Sequence, residues 1–189
     1  MRERIKLNLG CGMNKRPGWV NVDRAAECAP DRVVDLEQFP WPFGDDAADE
    51  ALFHHSLEHL GAETDTYLGI FKELYRVCAA GAKVTIVAPH PRHDDFLGDP
   101  THVRAVTPAG LALFSKQKND EWAKKGNANT PLALYLGVDF EFSRANYRLA
   151  SPWRERAEKG QIRQAELEEA IRSYNNVVRE IEVVLIVRK

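Results

Sequence analysis

The sequence predicts an α/β protein built on an open, mostly parallel sheet. Three observations predict it. Short β-rich runs alternate with connections between residues 5 and 89. One connection has helical spacing, with apolar residues at Tyr67, Leu68, Phe71, Leu74, Tyr75 and Cys78. The first β-rich run ends in a glycine turn, Gly10-Cys11-Gly12, at the edge where such sheets take ligands.

Residues 5–9 read as the first strand, 20–23 as the second and 32–36 as the third. A proline-aromatic loop, Phe39-Pro40-Trp41-Pro42-Phe43, precedes an acidic turn at Gly44-Asp45-Asp46. Residues 51–54 read as the fourth strand. The helix around Tyr67 starts at a cap, Thr64 or Asp65, and stops at Gly81. Residues 83–88, bounded by Pro89, form the fifth strand. A short helix and a polar stretch occupy residues 107–130. The wider segment 91–130 reads as an insertion that roofs a substrate pocket. Residues 138–142 predict a sixth strand, 151–178 a charged helical region broken at Gly160, and 181–187 an apolar closing strand.

A chain of 189 residues supports one domain, spanning 1–189. Its 26 Lys and Arg against 28 Asp and Glu give a net charge of −2. Proteins devoted to a phosphate backbone carry a basic excess, so no nucleic-acid partner is expected. Cys11, Cys28 and Cys78 form neither a disulfide framework nor a zinc ribbon. No apolar leader precedes the first strand, and no apolar run nears the roughly 20 residues of a membrane span. The expectation is a cytoplasmic protein with no membrane partner.

Ligands of open parallel sheets bind beyond the carboxyl ends of the strands. That rule gathers Gly10, Cys11, Gly12, Asp23, Asp35, His55 and His90 along one edge. A dinucleotide fingerprint needs a third glycine opening a helix, and Lys15 stands in its place. Pro17-Gly18 also interrupts residues 13–19, so no helix N-terminus is there to hold a pyrophosphate. These features disfavour a dinucleotide and leave a nucleoside ligand without phosphates. Asp23 can accept hydrogen bonds from both ribose hydroxyls, and Asp35 from an adenine amino group.

Three segments together resemble class I S-adenosylmethionine (SAM)-dependent methyltransferases: Leu7-Asn8-Leu9-Gly10-Cys11-Gly12, Gly18-Trp19-Val20-Asn21-Val22-Asp23, and His55-Ser56-Leu57-Glu58-His59-Leu60. The likeness covers about residues 5–115 and is nearest to small bacterial methyltransferase-domain proteins of the type 11 kind. It implies a Rossmann-like three-layer sandwich on a seven-stranded sheet with an antiparallel last strand. The connection between the first two strands is shorter here than in the broad family. The resemblance further implies SAM as cofactor. Asn8, Gly10, Cys11 and Gly12 then belong to the cofactor site, with the glycine turn around the methionine and ribose. Asp23 holds the ribose, Asp35 and Leu36 frame the adenine, and His54 and His55 lie near the sulfonium.

The segment from His90 to Arg104 is dense in titratable groups, with His90, His93 and His102 among the six histidines of the chain. For a hydroxyl acceptor the protein must align the oxygen and remove its proton, a task suited to histidine near neutral pH. The expected catalytic set is His102 and His93, with Asp99 orienting the imidazole. His90 and Arg104 are the expected substrate contacts. A His-Asp-stapled loop lid is the structural alternative. No metal-ligand template fits His93, Asp99 and His102. His55-x-x-Glu58-His59 matches a zinc-protease pattern, but that pattern needs both histidines on one helix face, and the first sits at a strand end. The reading is methyl transfer from SAM to a small-molecule or sugar hydroxyl. The alternatives are a SAM-binding, non-catalytic sensor or scaffold and, more remotely, a zinc hydrolase.

Overall fold

The computed structural model describes residues 4–189, so the reading of the first three residues lies outside the described residues. Seven strands form one sheet: β1 (Ile5–Leu9), β2 (Val20–Asp23), β3 (Arg32–Val33), β4 (Ala48–His54), β5 (Cys78–Pro89), β6 (Phe140–Leu149) and β7 (Val178–Val187). Their order is β3-β2-β1-β4-β5-β7-β6. The first five pair in parallel, and β7 runs antiparallel between β5 and β6. This is the Rossmann-like α/β sheet that the sequence predicts, with its last strand reversed.

Alternation along the strands puts one apolar set on one face. Leu7 and Leu9, Ala51 and Phe53, Val84 and Ile86, and Ile181, Val183 and Leu185 all join the main core. Helix α1 (Thr64–Val77) covers that face with Ile70, Phe71, Leu74 and Val77, which share a helix side by their spacing. Phe71 stacks on Phe114 at 3.9 Å between ring centroids and meets Phe140 edge-on. Burying an aromatic of this size contributes about 1.5–3 kcal/mol, so this cluster is a main support of the fold.

On the opposite side of β1, a polar network stands where a helix would otherwise fill the first connection. Buried Asn8 donates to the Asn14 carbonyl at 3.0 Å and to Asn21 Oδ1 at 2.9 Å. Asn21 Oδ1 also accepts from Arg16 N–H at 2.7 Å, and Asn21 donates from both N–H and Nδ2 to Asp31 at 2.8 Å. Buried amides need such partners, and here they pin residues 10–19 without helical hydrogen bonds.

Several boundaries differ from the sequence reading. β3 stops at Val33, because residues 34–38 turn into a loop fixed by Asp35 and Trp41 rather than pairing onward. Helix α1 stops at Val77, not Gly81. Cys78 is already extended and β5 starts there, so Gly81 lies within the strand at φ +81°. The sixth strand is Phe140–Leu149 rather than 138–142. Its second half carries Arg144, Asn146 and Arg148, whose polarity hides a strand from an apolar-run reading. Arg148 and Asn146 face Glu180 and Glu182 on β7.

Residues 91–136 form four short helices: α2 (Asp94–Leu97), α3 (Pro108–Ala112), α4 (Lys116–Lys124) and α5 (Leu132–Leu136). Phe114 ties the second half of this segment to α1 and β6, beside the core. The first half crosses the turn after β4. Two further helices, α6 (Trp153–Glu158) and α7 (Gln164–Ser173), flank the break at Gly160 and bury Leu167 and Ala170 against Val177.

Candidate functional site

A crevice of about 220 Å³ opens at the carboxyl ends of β1, β2 and β4. Gly10, Gly12, Asp23, Asp35, Leu36 and His55 all line it. Gly10 has φ +68°, and a Cβ there would lie 2.5 Å from Ser56 Cβ, so only glycine fits. Ser56 in turn donates to the Leu9 carbonyl at 2.8 Å, locking the β4 exit onto the glycine turn. Asp23 Oδ2 accepts from Gly12 N–H at 2.7 Å, and Oδ1 from Ala25 N–H at 2.9 Å. Those two bonds fix the carboxylate while leaving each oxygen a lone pair for a ligand hydroxyl. Asp35 Oδ1 accepts from Glu37 N–H and is oriented in the same way.

His55 sits at φ +53°, a left-handed conformation rare outside glycine and costing about 1–3 kcal/mol. Its N–H still donates to the Val87 carbonyl. Its Nε2 pairs with Glu180 at 2.7 Å and its Nδ1 lies 3.6 Å from Glu58. The two carboxylates, Glu58 foremost, push the imidazole pKa up. Asn8, Cys11 and His54, expected in the same cofactor set, line a separate hollow against Asn14, Lys15 and Arg16. Asn8 is consumed by the polar network, Cys11 is buried, and burial pulls the His54 pKa down.

The His90–Arg104 segment divides by its hydrogen bonds. His90 Nδ1 accepts from Arg92 N–H at 3.2 Å, and His93 Nδ1 accepts from Asp95 N–H at 3.0 Å while capping α2. Accepting at Nδ1 puts the neutral ring's proton on Nε2, so neither offers a bare Nε2 to a substrate proton. His102 is the reverse. Its Nδ1 donates to the Phe96 carbonyl at 2.8 Å, leaving Nε2 bare.

Asp99 does not orient His102, whose Nε2 is 3.8 Å from Asp99 Oδ2. It accepts instead from the Thr101 hydroxyl at 2.6 Å, and Thr101 Oγ1 accepts from His59 Nδ1 at 2.9 Å. Asp99 therefore orients His59 through Thr101. Arg104 is also placed differently from a substrate clamp. Its guanidinium lies 4.6 Å over the Tyr67 ring and donates to the Gly61 carbonyl, so it staples the turn to α1.

No protein-family model matches this chain, and no curated protein matches it. Solved structures do. A SAM-dependent methyltransferase from Archaeoglobus fulgidus superimposes with a TM-score of 0.63 at 16% identity, covering 97% of this chain and 86% of its own. A SAM-dependent methyltransferase from Methanosarcina mazei gives 0.58 at 13% identity, covering 100% and 94%. A geranyl diphosphate methyltransferase solved in complex with SAM gives 0.51 at 14% identity, covering 97% and 77%. The chain has the class I SAM-dependent methyltransferase fold.

In this methyltransferase fold the zinc-protease reading of His55-x-x-Glu58-His59 has no helix to stand on. His55 follows β4, and residues 57–59 make a single 3-10 turn. Sequence reasoning missed Ser56 and His59 as wall residues of the crevice. It also missed that Glu58 is 1% exposed with neither carboxylate oxygen hydrogen-bonded. The signal was present in the Glu58-His59 pair, but the residue that completes the cluster, His102, is distant in sequence. The backbone brings it there: Val103 and Arg104 N–H both donate to the Glu58 carbonyl, at 2.9 and 3.0 Å.

Proposed function

We propose that this protein transfers a methyl group from SAM to a hydroxyl of a small molecule or sugar. The observation that carries the reading is the crevice at the strand ends, where Asp23 and Asp35 on successive segments are held with free lone pairs beside an obligatory glycine turn. The likeness in fold to a methyltransferase solved with SAM supports the choice of cofactor. Asp23 holds the ribose hydroxyls, Asp35 and Leu36 frame the adenine, and Gly10 and Gly12 admit the ligand close to the backbone. Bound SAM supplies an electrophilic methyl on a sulfonium, a good leaving group.

The protein's remaining tasks are to align the acceptor and ease its proton away. His59, on the crevice wall, and His102 behind it activate the acceptor hydroxyl through their bare Nε2 atoms. Calorimetry with SAM tests the reading. Asp23→Ala is expected to weaken binding by about 100-fold, the loss of one well-placed charged hydrogen-bond acceptor at about 2.7 kcal/mol. Unchanged affinity overturns the ribose assignment. Formation of S-adenosylhomocysteine across hydroxylated acceptors tests turnover. Binding of SAM with no turnover on any acceptor favours a sensing or scaffolding role.

A further inference from the structure

Three lone-pair donors meet beside the crevice with no proton donor between them. Glu58, His59 and His102 each bring one ligand atom, all within 4.8 Å of one another. The Glu58 carboxylate is buried and neither oxygen has a hydrogen-bond partner. A buried carboxylate whose oxygens have no hydrogen-bond partner is costly, and a ligand at this position would complete it. His55 Nδ1 stops 3.6 Å from Glu58, beyond hydrogen-bond reach, and its other nitrogen is already paired with Glu180.

The histidines are set up to receive a cation. His59 Nδ1 is held by Thr101, itself bound to Asp99, and His102 Nδ1 is held by the Phe96 carbonyl. Both partners accept hydrogen bonds, so both rings carry their proton on Nδ1 and bare Nε2. An outer hydrogen-bond acceptor on the far nitrogen, here a backbone carbonyl for His102 and a carboxylate-linked hydroxyl for His59, is the usual support of metal-ligating histidines. Phe96 stacks on the His102 ring at 5.1 Å and holds its plane.

We infer that Glu58, His59 and His102 bind a divalent transition-metal cation of the zinc or ferrous class. Two imidazoles and one carboxylate suit such ions rather than magnesium or calcium, which prefer oxygen ligands. Bonds of about 2.1 Å require the three ligand atoms to close in by about 1 Å, a small side-chain rotation. Three protein ligands leave a coordination position open, as in catalytic rather than structural sites. The binding itself is independent of the methyl-transfer reading. What the ion does rests on that reading: with His59 in the crevice wall, the open position takes the acceptor hydroxyl, which loses its proton to water, so the metal-bound form replaces direct proton transfer to the histidine Nε2 atoms.

The test is calorimetric titration of the zinc-free, full-length protein with zinc(II), with no methyl donor present. The expected result is one site, weakened about 100-fold or more in Glu58→Gln, His59→Gln and His102→Gln. Thr101→Val touches no ligand atom and removes the hydroxyl that links His59 Nδ1–H to Asp99; it is expected to weaken binding about 10-fold. Cobalt(II) in the unmodified protein gives a second readout that needs no variant, the intense visible bands of a low-coordinate site. Absence of zinc binding overturns the inference. So does equal binding by the three variants, a weak octahedral cobalt spectrum, or nitrogen NMR showing His59 or His102 still protonated at Nε2 with zinc present. Failure here leaves SAM binding and the Asp23→Ala result untouched, so the two proposals fall separately.

Discussion

Two glutamates, one half-buried and one buried, show how differently this chain treats its carboxylates. Glu73, on α1, is surrounded by donors. Arg76 binds it through Nε at 2.9 Å and Nη2 at 2.7 Å, and Trp41 N–H donates to it at 2.7 Å. The same guanidinium reaches the Trp41 and Phe43 carbonyls and Asp45, so one ion pair ties the proline-aromatic loop to the helix. Glu58, in the turn after β4, is more deeply buried, and among the described residues neither oxygen has a hydrogen-bond donor, His55 Nδ1 stopping at 3.6 Å. The first arrangement spends charge on holding a loop. The second leaves a buried carboxylate without a hydrogen bond beside a crevice, which is how binding sites differ from the scaffold around them.

The comparison breaks most visibly at Arg76. Arg76→Leu strands Glu73 and Asp45 and frees two carbonyls, and is expected to lower stability by about 3 kcal/mol in urea unfolding. On the other side, zinc(II) at about 100 times its dissociation constant should raise the stability of the protein by about 2.7 kcal/mol. Glu58→Gln is expected to erase that gain in thermal unfolding, and a zinc shift that survives the substitution would place the ion elsewhere. Glu73→Gln should cost about 2 kcal/mol at neutral pH, less than Arg76→Leu because no cation is orphaned among apolar groups.

The Glu73 effect carries a sign in pH. Arg76, the main cause, and then the Trp41 N–H hold the Glu73 carboxyl below its ordinary 4.5. A depressed folded-state pKa contributes stability above the ordinary value and loses it as pH falls through the folded one. The gap between the unmodified protein and Glu73→Gln is therefore full above about pH 4.5 and closes below it, as acid titration of the two unfolding midpoints would show. The smallest effect belongs to Glu58→Leu in zinc-free protein, expected within about 0.5 kcal/mol of the unmodified chain or more stable than it. A loss of 2 kcal/mol or more, comparable to Glu73→Gln, would show that Glu58 has a partner and that the contrast is false.

Much of the fold was legible because its signals are local. β1 and β2 read to the residue from a β-rich run, a glycine turn and an aspartate. The crevice followed from the rule for parallel strand ends, and Gly10, Gly12, Asp23, Asp35, Leu36 and His55 do share it. What was hidden depended on distance or on protons. β6 alternates polar and apolar residues against β7 and looks like loop until the partner strand is known. His59 and Thr101 lie 42 positions apart, and nothing in either neighbourhood announces the contact. Which nitrogen of His90, His93 or His102 is bare is set by single backbone groups. The histidine count alone does not distinguish these rings.

The helix-free link between β1 and β2 also bears on how the molecule assembles. The polar knot of Asn8, Asn21 and Asp31 closes within residues 8–31, whereas β7 must return to β5 across residues 90–177. Closing a short loop costs less chain entropy than a long one, and contacts near in sequence form sooner. As the chain leaves the ribosome, the strands that frame the crevice can pair before the closing strand exists. Until β7 arrives, the long apolar flank of β5 is an open sheet edge, the part of the folding chain most exposed to capture by another copy.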